Sequence, residues 1–199
     1  MLAIGLVGAT GAGKTEVLRL FEQHGAVTIA ADELSREVLA PGAPALQLVR
    51  EKFGDDYFDA QGHLIRKALG SLIFCDETAR RRLDAIVHPL MTDLLRKQLD
   101  QWRQEGVPVA VVESAVLEEM GARPLVDVVV RVEAGESVRR QRLQQRDALT
   151  EDEARQRLSA HERLGLAETV SDFVINNDGD PQALRKQVEQ IWLALVETS

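Results

Sequence analysis

Eight residues near the start of the chain, Gly8-Ala9-Thr10-Gly11-Ala12-Gly13-Lys14-Thr15, have the spacing G-x-x-x-x-G-K-[ST]. Glycines at such spacing let backbone N–H groups converge on phosphate oxygens without side-chain clash. Lys14 can then reach the terminal phosphates, and the Thr15 hydroxyl can ligate Mg²⁺. Asp32 is the next residue with chemical potential. A carboxylate there could orient and deprotonate a hydroxyl attacking a γ-phosphate, or it could cap a helix, and the spacing serves either role. The third feature is Arg139, Arg142 and Arg146. At about 100° per residue they fall within one narrow arc of a helix, with Arg140 pointing elsewhere. Such forks could close over a nucleotide, screen transferring charge and expel water, or they could form a solvated face paired with Glu151, Asp152 and Glu153.

These groups need elements to position them. Leu2 to Val7 is an apolar run ending at Gly8, as expected of a strand buried on both faces of a parallel sheet. Thr15 to His24 carries helical periodicity and Gly25 closes it. Val27 to Ala30 reads as a second strand, so the chain opens as a strand, glycine loop, helix and strand. Helical patterning then dominates from Glu33 to Glu105, with breaks expected at Pro41-Gly42, Gly54, Gly62 and His88-Pro89. That length exceeds a simple crossover and implies a helical insertion. Further strands are expected at 107–113, 127–132 and 173–175. Thr150-Glu151-Asp152-Glu153 forms a capping box ahead of another helix, and Leu184 to Val196 makes a closing amphipathic helix. The expected fold is α/β: a parallel sheet flanked by helices, with a helical insertion and a lid.

Two rival nucleotide signatures are disfavoured. A dinucleotide fingerprint built on Gly11 and Gly13 would need glycine at position 16, where Glu16 stands. The N/T-K-x-D element that reads guanine is absent around the five lysines. Adenine nucleotide is therefore expected over guanine.

Composition narrows the partners. Across 199 residues, 45% are hydrophobic, 28% charged and only 4% aromatic, which describes a folded domain with an aliphatic core. Acidic residues outnumber basic ones, 32 to 24, which disfavours a dedicated nucleic-acid binder. No apolar run approaches a membrane span of roughly 20 residues. The N-terminus lacks a basic region and runs straight into the motif, unlike a signal peptide. Cys75 is the only cysteine and has no internal disulfide partner, so a reducing cytoplasmic setting is expected. Four scattered histidines lack zinc-ligand spacing. No pattern fixes an oligomeric state.

Over nearly its whole length the sequence is similar to the dephospho-CoA kinase family. The matching residues begin with Ile4-Gly5-Leu6 and the phosphate loop. They continue with Ala31-Asp32, Arg36, Phe53-Gly54, Gly62-His63-Leu64-Ile65-Arg66, Leu69, Phe74, Leu83 and His88-Pro89. They end with Arg142-Leu143-Gln144-Gln145-Arg146-Asp147, Asp172, Val174-Ile175 and Asn177. The resemblance implies transfer of the ATP γ-phosphate to the ribose 3′-hydroxyl of dephospho-CoA, with Mg²⁺. It implies a core over 1–32 and 107–199, a lid at about 139–160 and a CoA-binding insertion over 33–106. It assigns catalytic roles to Asp32, Lys14 and Arg142. It assigns ATP binding to Gly11, Ala12, Gly13, Lys14, Thr15, Glu16, Arg146 and Asn177. Asp32, Arg36, Arg66 and His88 fall on the acceptor side, and Thr15 holds the metal. Two departures stand out. The family's Pro-Leu-Leu-Phe-Glu is here Ser114-Ala115-Val116-Leu117-Glu118, and a usual Gln after the lid is here His161. The remaining alternatives are another small-molecule or nucleoside monophosphate kinase, and a non-catalytic nucleotide-binding module.

Overall fold

Alternating side chains of the first strand bury on opposite faces of a sheet, and that alternation organises the molecule. The computed structural model describes residues 1–162 and 170–197, with side chains of 160–162 outside that description. Strands β1 (Leu2–Gly8), β2 (Val27–Ala30), β3 (Val109–Glu113), β4 (Val128–Glu133) and β5 (Phe173–Asn176) form a five-stranded sheet in the order β2-β3-β1-β4-β5. Every pairing is parallel. On one face Ile4 and Leu6 pack with Val109, Val111, Val130 and Val132 against helices α1 (Lys14–Gln23) and α8 (Pro181–Val196). On the other, Ala3 and Val7 join Ala110, Val112 and Val129. A strand buried on both faces reads as a continuous apolar run, which is why Leu2 to Val7 lacks polar alternation.

The second face is covered by the helices between β2 and β3: α2 (Ala31–Val38), α3 (Pro44–Phe53), α4 (Arg66–Cys75) and α5 (Glu77–Gln104). Leu34, Val38, Val49, Leu69, Leu83, Val87, Leu95 and Leu99 form one cluster with that sheet face. Beyond β4, α6 (Glu136–Asp147) and α7 (Glu151–Glu162) pack through Leu143, Ala154 and Leu158, a small cluster separate from both larger ones.

Four expectations from sequence are corrected. The break at His88-Pro89 does not occur, and α5 runs through Pro89. An interior proline costs a helix about 3 kcal/mol or more. Here Asp76 caps the start, accepting from the Ala79 N–H, and Leu83, Val87, Met91, Leu95 and Leu99 bury a stripe on both sides of the proline. Strand β3 begins at Val109, past Pro108, which has no N–H to offer a ladder. Asp127 precedes β4 and its carboxylate accepts from the Ala3 N–H at 2.7 Å. The N-cap of α2 is Ala30, with Asp32 the second residue inside the helix.

Candidate active site

Parallel strands deliver their C-terminal ends to one edge, where ligands of open α/β sheets bind. A cleft of about 710 Å³ lies there, lined by Thr10, Gly11 and Gly13 to Glu16 of the phosphate loop, by Asp32, by Glu113 to Ala115, and by Arg142, Arg146 and Arg157. The loop's conformation depends on glycine. Gly13 has φ +94°, and a Cβ there would collide with the Asn177 amide nitrogen. Gly11 has φ +81°, and a Cβ would come within 2.8 Å of the Arg139 carbonyl oxygen.

Lys14 opens α1 and folds back over the loop. Its Nζ donates to the Gly8 carbonyl at 2.9 Å and lies 3.6 Å from Glu113 Oε1. Burial lowers the Lys14 ammonium below its ordinary range, with Glu113 opposing that effect. Burial raises the Glu113 carboxyl, with Lys14 opposing and Asp32 reinforcing. Asp32, exposed in the first turn of α2, is thus electrostatically coupled to both. Glu113 is a site residue that the sequence reading did not single out. Its signal was its place at the end of β3, but only the strand order shows that β3 adjoins β1 on one side and β2 on the other.

Of the three arginines expected on one face, two line the cleft and Arg139 does not. Arg142 turns toward the loop's backbone. Its Nη1 donates to the Ala12 carbonyl at 3.1 Å and the Gly11 carbonyl at 3.4 Å, and its Nη2 donates to Asn177 Oδ1 at 3.2 Å. Asn177 is buried and donates to the Ala12 carbonyl at 2.9 Å. Arg142 and Asn177 therefore brace the loop from behind. Together with Gly13, Glu16, Pro181, Leu184 and Arg185 they also line a smaller adjoining pocket of about 250 Å³. Arg146 forms a two-pronged pair with Asp147, Nε to Oδ1 at 2.7 Å and Nη2 to Oδ2 at 2.8 Å. The Thr150 capping box forms as expected: Glu153 accepts from the Thr150 N–H at 2.8 Å, and Thr150 Oγ1 accepts from the Glu153 N–H at 3.3 Å.

Arg36, Arg66 and His88 stand outside the lining of the 710 Å³ cleft. Arg66 donates to the Arg36 and Leu39 carbonyls at 3.3 and 3.1 Å, satisfying the C-terminal end of α2. His88 Nδ1 lies 3.3 Å from the Glu119 carbonyl, and Thr92 donates to the Met120 carbonyl at 2.8 Å, so α5 fastens the segment after β3. That segment holds the first sequence departure. Ser114 donates its backbone N–H to the Leu6 carbonyl at 3.0 Å, a bond a proline could not make. Its hydroxyl accepts from the Val116 N–H at 3.1 Å. His161 lies outside the described side chains. Among the described residues no cluster of three or more His, Cys, Asp or Glu groups is arranged to hold a metal, and no helix is long and apolar enough to cross a membrane.

A family model for dephospho-CoA kinase matches residues 2–182. A dephospho-CoA kinase of Geobacter sulfurreducens is 42% identical over 96% of this chain and 98% of its own length. The crystal structure of TT1252 from Thermus thermophilus superposes with a TM-score of 0.81 at 24% identity, covering 98% of this chain and 97% of that one. The dephospho-CoA kinase from Campylobacter jejuni gives 0.69 at 20% identity, covering 98% of both chains. At such identities these two structures speak to the fold.

Proposed function

The chain belongs to the dephospho-CoA kinase family, and from that premise we propose that it transfers the γ-phosphate of ATP to the ribose 3′-hydroxyl of dephospho-CoA, giving coenzyme A. The observation that carries this reading is the cleft in which a phosphate loop, Lys14, Asp32, Glu113 and guanidinium groups meet. Loop amides from Gly11 to Glu16 cradle the phosphates, and Lys14 exchanges Glu113 for a β/γ-phosphate oxygen. Asp32, at the mouth of the cleft, orients the acceptor hydroxyl and takes its proton as the oxygen attacks phosphorus. Arg146 covers the transferring group, while Arg142 and Asn177 hold the loop in shape and border the nucleotide.

The donor set fits Mg²⁺. Thr15, Asp32 and Glu113 offer only oxygen, and Mg²⁺ takes one or two protein oxygens together with substrate phosphates and water. Thr15 would hold the ion, with a carboxylate beside it, and the bound ion supplies charge neutralisation on the phosphates. The stretch 33–106 serves the acceptor. Arg36 contacts it directly, while Arg66 and His88 hold the end of α2 and the segment after β3 that border it. The lone cysteine supports a cytoplasmic setting. ADP formation that depends on dephospho-CoA tests the proposal.

A further inference from the structure

Arg157 enters the cleft from α7, eleven positions beyond Arg146 and outside the phosphate loop. Its Nη1 donates to Asp147 Oδ2 at 2.9 Å, the same oxygen that accepts from Arg146 Nη2. One carboxylate therefore gathers two guanidinium groups. The Asp147 side chain is only 22% exposed, while those of Arg146 and Arg157 are 61% and 46% exposed. The anion is covered and the cations face the cleft. The neighbouring Arg155 instead pairs with Asp152 and does not line the cleft. The packing of Ala154 and Leu158 on Leu143 fixes which side of α7 faces α6, and so sets Arg157 toward the cleft.

We propose that Arg157 is a phosphate-binding residue of the nucleotide site, presented to the β/γ-phosphates beside Arg146 by the Asp147 carboxylate they share. One shared carboxylate leaves a net positive charge between the two forks. A guanidinium carries five N–H donors, so binding a phosphate oxygen does not require giving up the Asp147 bond. The inference rests on the nucleotide half of the proposed function.

Calorimetric titration of ATP and of AMP, without acceptor, tests it on Arg157→Ala, Arg157→Lys and Arg155→Ala. Arg157→Ala should weaken ATP about tenfold, the scale of a hydrogen bond between charged groups, and leave AMP unchanged. Arg157→Lys should recover part of the loss, and Arg155→Ala should match the parent. Equal losses for ATP and AMP, or no loss for ATP, would overturn the assignment. Because no acceptor is present, failure of dephospho-CoA to stimulate the parent enzyme would be a separate result, striking the function and not Arg157.

Discussion

Lys14 and Glu113 face each other across 3.6 Å beneath the phosphate loop, and each is shifted by burial in the direction that disfavours its charge. The lysine that must meet phosphate is thus already matched to an anion. A nucleotide entering the cleft replaces one negative partner with another, rather than meeting a bare buried cation.

The Glu113 shift has a consequence for stability. Its carboxyl titrates above 4.5 in the folded chain, so between 4.5 and that raised value the folded chain keeps a proton the unfolded chain has lost. Its contribution to stability is therefore full below 4.5 and falls as pH rises through the folded value. Glu113→Gln removes this slope. Urea unfolding of both proteins from pH 4.5 upward should show the difference moving in favour of the variant. A difference moving toward the parent would contradict the direction of the shift.

Asp32 is exposed at the start of α2 and lines the cleft together with Arg142, Arg146 and Arg157. If it accepts the acceptor's proton, Asp32→Asn should lower kcat by roughly 10²–10⁴ while ATP still binds. Steady-state rates with a parallel ATP titration check this, and unchanged turnover would remove Asp32 from the base role.

Gly13 and Asn177 are coupled through space. An alanine at 13 carries a conformational strain of about 1–2 kcal/mol and also strikes the Asn177 amide. Asn177→Ala removes the obstacle but leaves the strain. A double-mutant cycle by urea unfolding should find Gly13→Ala less costly in the Asn177→Ala background. Strict additivity would show that the amide yields freely.

Arg142 braces the loop with a fork that reaches two carbonyls and Asn177. Arg142→Ala should raise the KM for ATP about tenfold, with little change in the KM for the acceptor. Arg142→Lys should recover little, because a single ammonium cannot span the three acceptors. An effect confined to the acceptor KM would move Arg142 to the other side of the reaction.

The sheet and the loop were legible because their physics is local. An unbroken apolar run, a glycine-rich turn and a helical stripe sit within 25 residues of one another. Three things needed the folded chain. The role of Glu113 depends on β3 lying between β1 and β2, a neighbourhood no spacing reveals. The continuity of α5 depends on burial around Pro89, which outweighs the proline's own preference. Arg139, Arg142 and Arg146 all lie on α6 at helical spacing, yet they part company. Arg142 binds loop carbonyls, Arg146 binds Asp147, and the arginine that joins them in the cleft, Arg157, comes from the next helix.

The most direct test of the central claim is ADP release by the full chain with ATP and Mg²⁺, with and without dephospho-CoA. The account predicts that dephospho-CoA raises ADP release many-fold, that coenzyme A appears in equal amount, and that nucleoside monophosphates do not substitute. Equal ADP release with and without dephospho-CoA, or stimulation by a nucleoside monophosphate instead, would contradict it.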